Sequence, residues 1–352
     1  PMLGPFGACS STAAQTQVPD LLTLANPFSP DFLARPAIHA RDKGPLKAAP
    51  ALLLAILSGR DPALFARAFP KVVTSGRVLR TFVQIMRSGQ TGRKSLGSRP
   101  KAMVQDWLNK ASDAQLLAAS VGNDPSLADV IRMVHPHPGS AQREAFYAWL
   151  IDRPVDVSAL PALVQDLLAF RSGVSKQVPA VPFQLLGDMT LSPEQWGEVA
   201  LMASWQTLRQ GLNMLTRNHA FARPEVVTHV ATVLRDRERI KVAKALPYQL
   251  LATLQALDPA VPPALRDALH DAMERAADNV PRFEGRVGVC PDVSGSMHSP
   301  ATGYRGSATT AVRWIDVAAL VAAALKSSNP AALILPFEMQ VRDIALEPRD
   351  TI

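Results

Sequence analysis

Apolar residues recur at helical spacing through most of the chain. They come in short runs parted by Gly, Pro, Asp and Ser. Residues 45–58 are apolar enough for a buried helix, and residues 61–69 open on Asp-Pro, a helix start signal. The same spacing predicts helices over 77–87, 101–110, 113–120, 127–134, 143–151, 159–171, 193–203, 205–218, 224–235, 247–256 and 263–277. Ser112 with Gln115, and Ser192 with Gln195, have the spacing of capping boxes, the second with Pro193 at the first helical position. No strand-period segment stands out before Gly285. Many short helices joined by brief loops predict an α-solenoid of helix pairs, HEAT-like in character, although no strict repeat is present. Residues 1–40 carry no sustained period and read as a loose arm, with residues 20–25 as one helical turn.

The pattern changes after a linker at 278–283. Residues 287–290 form a short apolar run of the kind a buried parallel strand shows, and Cys290 is placed in that core strand. An amphipathic helix is predicted over 314–326 and a second apolar run over 331–337. Strand, loop, helix, strand is the start of a doubly wound sheet. The fold class is therefore mainly α: a helical solenoid over residues 41–278, followed by the first part of an α/β domain over 279–352. The chain is expected to stop inside that domain.

The loop between the first strand and its helix reads Asp292-Val293-Ser294-Gly295-Ser296. An Asp and two Ser at alternate positions present three hard oxygens on one side of a turn. Such oxygens suit Mg²⁺, which keeps waters and takes few carboxylates. The plain alternative is an Asp/Ser/Gly turn that caps the following helix. The place, at the carboxyl end of a strand, is where open α/β sheets bind ligands. This D-x-S-x-S loop resembles the metal-ion-dependent adhesion site (MIDAS) of von Willebrand factor A (vWA) domains. That resemblance implies a divalent cation on Asp292, Ser294 and Ser296.

Charge bears on partners. The net charge is +7, the pI is near 9.7, and a polyanion is the first partner to consider. Residues 71–110 hold Lys71, Arg77, Arg80, Arg87, Arg93, Lys94, Arg99, Lys101 and Lys110 against one acid, Asp106, so this stretch exceeds the charge of the whole chain. Arg77, Arg80, Gln84 and Arg87 share one helix face, opposite Leu79, Phe82, Val83 and Met86. A solvated face is the ordinary explanation. The lack of acidic partners favours nucleic acid instead. Arg132, His135, His137 and Arg143 form a second basic set around Pro136 and Pro138. No carboxylate or Cys accompanies the two His, so a metal is not expected there. Trp205, Arg209 and Asn213 lie on one helical stripe. Arg209 could stack on RNA or bond to it, whereas Trp205 reads as core.

Other classes are set aside. Cys9 and Cys290 are the only cysteines, so no disulfide framework or zinc site follows, which suits a reducing cytoplasm. No run of 18 apolar residues and no signal peptide is present, so a soluble cytoplasmic protein without membrane contact is expected. No Walker loop, G-x-S-x-G elbow or carboxylate pair stands out, and no enzymatic activity is expected.

Several stretches taken together resemble one family. RDKGPLKAAPALLLAILSG, LRTFVQIMRSG, GRKSLGSRPKAMVQDWLN, SLADVIRMVHPHP, SWQTLRQGLNMLTRN and AKALPYQLLATLQAL follow in the order of the TROVE module of Ro autoantigen proteins, with a vWA domain after them. The resemblance covers roughly residues 41–352. It implies a ring of helical repeats that binds small noncoding Y RNA outside and single-stranded 3′ ends of misfolded RNA through its hole. It also implies a role beside an exoribonuclease in RNA quality control. Arg77, Arg80, Arg87, Arg93, Lys94, Arg99, Lys101, Arg132, His135, Arg209 and Asn213 are the expected RNA residues. A monomer is expected, and no DNA. Two family basic residues fall at Ala118 and Gly122 here, and residues 1–40 show no counterpart of the family's N-terminal segment. The alternative is a metal-dependent protein-adhesion module on a helical scaffold.

Overall fold

The computed structural model describes residues 21–44, 48–92, 94–123, 125–301 and 312–342. The chain divides into two compact units, residues 1–190 and 191–352. Residues 172–190, at the end of the first unit, are irregular apart from a short 3₁₀ turn at Phe183–Leu186.

The described part of the first unit is helical. Its elements are α1 (Pro30–Asp42), α2 (Ala48–Arg60), α3 (Pro62–Val72), α4 (Gly76–Arg87), α5 (Ser98–Lys110), α6 (Asp113–Ser120), α7 (Leu127–Val134), α8 (Ala141–Leu150) and α9 (Ala162–Arg171). Helix α1 corrects the expectation of a loose arm through residue 40. Ser29 accepts from the Phe32 N–H and Pro30 takes the first position, which is a capped start. Pro36 inside the helix breaks the sequence pattern, yet Leu33, Ala34 and Ala37 are buried, and α1 packs on α2 and α3. At α3, Asp61 accepts from the Ala63 and Leu64 N–H groups. Ser112 and Gln115 form the expected capping box, and Ser126 with Asp129 form another at α7.

The core of this unit is built on Phe65, Phe69 and Phe82, all buried, with ring centroids 5.6, 5.9 and 5.5 Å apart. Each such burial contributes about 1.5–3 kcal/mol. Helices α4 and α6 approach backbone to backbone. A Cβ added at Gly76 would stand 2.1 Å from the Ala119 Cβ.

The second unit holds α10 (Pro193–Met202), α11 (Trp205–Arg217), α12 (Pro224–Arg235), α13 (Arg237–Ala243), α14 (Pro247–Gln255) and α15 (Pro263–Ala276). Then come β1 (Gly288–Val289), α16 (Trp314–Ser328) and β2 (Leu333–Ile334). The Ser192–Gln195 capping box is present. Helix α13 is absent from the sequence reading because Ile240 is its one buried side chain. Its start is capped by Asp236, which accepts from the Arg239 N–H at 3.0 Å.

The strands pair in parallel, Gly288 with Leu333 and Val289 with Ile334, and a further bridge joins Asp292 to Phe337. The ladder is held by Leu333 N–H to Val287 O, Leu335 N–H to Val289 O and Val293 N–H to Phe337 O, at 2.9, 2.8 and 2.9 Å. Pro291 and Pro336 have no N–H to offer, which keeps the regular strands short. Here the structure corrects the expectation of a buried strand. Gly288 and Cys290 are exposed and Val289 is half-buried. Among the described residues β1 has a strand on one edge only. Helix α16 packs on α14, and its Leu320 joins the helical core of this unit.

Candidate nucleic-acid interface and cation loop

Helix α4 sorts its side chains as its period predicts. Val78, Leu79, Phe82, Val83 and Met86 are buried, and Arg77, Gln84 and Arg87 are exposed. Arg80 departs from the expected RNA face. Its guanidinium donates to the carbonyls of Val121 at 2.7 Å, Pro125 at 3.2 Å and Gly122. Burial, and then Arg77 beside it, lowers its pKa. Gly122 has φ +105°, and a Cβ there would stand 2.9 Å from an Arg80 nitrogen, so glycine makes room for the guanidinium. Arg80 is a strut for the loop between α6 and α7.

Around α4 lies a set of exposed cations. Arg67, Lys71, Arg77, Arg87 and Lys94 are exposed and form no ion pair among the described residues. Arg99 donates to Pro62 O at 3.0 Å and stays exposed, Lys101 is half-exposed, and Lys110 is paired with Asp106 at 2.8 Å. Arg93 lies outside the described residues. Arg67 was missed at the sequence level, because it precedes the basic stretch in sequence.

The two basic features of the sequence meet at Asp129. Hydrogen bonds from Ser126 are the largest cause of that carboxyl's lowered pKa, and after a small opposing effect of burial come Arg132 and Arg87. Arg132 also lies 3.6 Å from Asp152 and donates to Ile151 O at 2.7 Å. His135 is exposed at the left-handed C-cap of α7, with φ +50°. Helix α5 fixes the Pro-bracketed loop from below. Gln105 donates to Val134 O and His135 O at 2.6 and 3.0 Å, and Asn109 donates to His137 O at 2.9 Å. Asn109 in turn accepts from the Tyr147 hydroxyl at 3.0 Å, and burial pushes that phenol up to about 12. Arg143 turns inward, donating to Ala111 O and pairing with Asp113 at 3.3 Å.

The stripe on α11 is corrected. Trp205 is core as expected, and its indole N–H donates to Leu234 O at 3.0 Å. Arg209 is only 8% exposed and donates to Gln249 O and Thr253 Oγ1 at 2.9 and 2.7 Å. Asn213 donates to Ala256 O at 2.7 Å and accepts from the Asp258 N–H at 2.9 Å. Both residues lock α11 to α14 and the turn after it. Arg209 is too buried to meet RNA, and Asn213 is half-buried with its amide engaged. Helical spacing shows that residues share a face but not what the face meets.

In the second unit, Asp292, Ser294 and Ser296 gather in one turn. Asp292 Oδ1 accepts from the Ser294 N–H at 2.8 Å, and the Ser294 and Ser296 hydroxyls are hydrogen-bonded to each other at 3.1 Å. Hydrogen bonding by Ser294, side chain first and backbone second, holds the Asp292 carboxyl below the usual range. The carboxylate is therefore charged at neutral pH, as a metal ligand must be. Adjacent oxygens of an octahedron with Mg–O distances of about 2.1 Å lie about 3.0 Å apart. The hydroxyl spacing fits that edge. Among the described residues no cluster of three or more His, Cys, Asp or Glu side chains could hold a metal, so this turn offers one carboxylate and two hydroxyls. An apolar groove adjoins it, lined by Val289, Pro291, Met297, Trp314, Val317 and Val321 among others.

No protein-family model matches the chain, and no curated protein is similar to it. Among solved structures, the crystal structure of the Ro protein (Rsr) of Deinococcus radiodurans matches with a TM-score of 0.66 and 21% identity, over 95% of this chain and 71% of that one. The chain has the Ro fold. The likeness bears out the resemblance to Ro and the mainly helical class expected from the sequence. At this identity it carries the fold, and the residues of each site rest on the geometry above.

Proposed function

We propose that the chain is an RNA-binding protein whose binding surface is the exposed cationic set on α3, α4, α5 and the loop between α4 and α5, continued by Arg132 and His135 at the end of α7. The observation that carries the reading is the run of uncompensated cations on a rigid helical scaffold with the Ro fold. A carboxylate-poor basic face repels itself unless a polyanion covers it. Backbone phosphates would meet Arg67, Lys71, Arg77, Arg87, Lys94 and Lys101, and the rigid loop carrying His135 would meet structured RNA. The finer reading follows the TROVE resemblance: a small Y-like RNA and single-stranded ends of misfolded RNA as ligands, repeats closed into a ring, and an exoribonuclease as partner in RNA quality control. The chain acts by binding rather than catalysis, as a cytoplasmic monomer. Mg²⁺ sits on Asp292, Ser294 and Ser296 and leaves a coordination position for a partner's carboxylate. The Ro likeness does not favour the adhesion module as the main function.

The test is binding of labelled RNA at rising salt. Log affinity should fall with log salt at about −0.7 per phosphate contact on single strands, so four engaged cations give a slope near −3. A flat response would refute the reading.

A further inference from the structure

The turn that carries Ser296 is a 3₁₀ turn, Gly295–His298, and it is not held by its own hydrogen bonds alone. Its last residue, His298, stands with Nδ1 3.3 Å from Nη1 of Arg313, the residue that caps α16. The Arg313 guanidinium is itself fixed. Nη2 donates to Asp316 Oδ1 at 2.7 Å and Nε to Asp316 Oδ2 at 3.1 Å. The backbone follows the same path: Pro300 bridges Arg313, Trp314 N–H donates to Ser299 O at 3.1 Å, and Ala301 N–H to Val312 O at 2.7 Å.

We infer that Arg313 is a positioning residue of the cation loop, setting the Ser296 hydroxyl beside that of Ser294 by holding His298 against the start of α16. The inference rests on the reading of Asp292, Ser294 and Ser296 as a Mg²⁺ site. The reason is mechanical. Ser294 is anchored by the parallel ladder, because Val293 donates to Phe337 O and Ser294 to Asp292. Ser296 lies past Gly295 in the 3₁₀ turn, and a side chain at Gly295 would meet only open space, so no packing holds the turn from that side. In the metal-free turn the two hydroxyls hold each other by a 3.1 Å hydrogen bond; with both oxygens turned to a cation that bond is given up, and the spacing then needs a second anchor on the far side of Ser296, which Arg313 supplies. The helix cap does not depend on this side chain, because Asp316 also accepts from the Arg313 backbone N–H at 2.9 Å.

The experiment is calorimetric Mg²⁺ titration of the full chain, with amide hydrogen exchange on the metal-free protein. The variants are Arg313→Met, Arg313→Lys, His298→Ala and His298→Asn. Loss of a partner that orients a metal ligand typically weakens affinity about 10–100-fold, and an effect through one further residue belongs at the lower end. Arg313→Met and His298→Ala should weaken Mg²⁺ binding about tenfold. Both should speed exchange at the Met297 and Ser299 amides, which donate to Ser294 O and Ser296 O, while α16 stays protected. His298→Asn keeps an acceptor near the Nδ1 position and should bind almost as the parent does. Arg313→Lys should fall between, since a single ammonium nitrogen lacks the guanidinium fork that reaches His298 and both Asp316 oxygens. A purely structural role would lower α16 protection too and would not be rescued by Asn. Parent-like Mg²⁺ binding by Arg313→Met, or equal losses in His298→Asn and His298→Ala, would overturn the positioning role. Absence of Mg²⁺ binding in the unsubstituted chain would overturn the cation reading itself, and the two failures are told apart by that first titration.

Discussion

Arg80 and Arg87 sit seven residues apart on one helix, have the same chemistry, and should fail in opposite ways. Arg80→Ala removes a guanidinium that serves three carbonyls, two of them half-buried and one exposed. The exposed carbonyl can return to water. Each of the other two loses a charge-assisted bond worth about 1.5 kcal/mol net, the low end for half-buried groups, so the loss is about 3 kcal/mol. For a unit of this size that lowers the unfolding midpoint by about 5–10 °C. Arg87→Ala removes an exposed side chain with no ion pair among the described residues and should change stability by less than about 0.5 kcal/mol. RNA binding should show the reverse. Arg87→Ala removes one phosphate contact and should flatten the log–log salt slope by about 0.7, while folded Arg80→Ala leaves the slope unchanged. Thermal unfolding followed by circular dichroism gives the first quantity, and anisotropy titrations at several salt concentrations give the second. Equal stability of the two variants would refute the strut, and an equal drop in slope would show that both arginines face RNA.

The other expectations follow from the same geometry. Gly76→Ala drives a Cβ into Ala119 and should destabilise the first unit by about 3 kcal/mol, read as a drop in denaturant midpoint; a loss below about 1 kcal/mol would show that α4 and α6 separate freely. Asp61→Ala removes the cap of α3 and should cost about 1 kcal/mol by the same assay. Tyr147 has a raised phenol pKa, so the folded state holds its proton more tightly. Its contribution is full below about pH 10 and is lost as pH rises through about 12, and Tyr147→Phe should lose that alkaline fall. Asp292→Ala should abolish Mg²⁺ binding in calorimetry with the fold intact and RNA affinity changed less than threefold; a large loss of RNA affinity would refute the separation of the two sites.

Much of the helical architecture was legible because short amphipathic helices announce themselves twice, by period and by caps. The helices at Asp113–Ser120, Leu127–Val134 and Pro224–Arg235 lie where the spacing placed them, and the Ser112 and Ser192 boxes are formed. Helix α1 was hidden by Pro36 and α13 by its single buried side chain, so both lacked the periodic signal. The candidate sites were legible as chemistry and less so as exposure. A stripe such as Trp205, Arg209 and Asn213 has the same spacing whether it meets solvent or another helix, and only α14 packed against it decides. Arg80 and Arg87 likewise share a face in projection, but only Arg80 has the 121–125 loop within reach. Arg87 and Arg132 both act on the Asp129 carboxyl although they are far apart in sequence, which no local pattern reveals.

The account's central claim is that exposed cations on α3, α4, α5 and the loop between α4 and α5 bind RNA backbone. It is tested most directly by the affinity of the full chain for a labelled single-stranded RNA across a salt series, beside a variant carrying Arg77→Ala, Arg87→Ala, Lys94→Ala and Lys101→Ala together. The account predicts a log–log slope near −3 or steeper for the unsubstituted chain, flattened by about 2.8 in the folded variant at about 0.7 per lost contact. A slope that the four substitutions leave unchanged would contradict it.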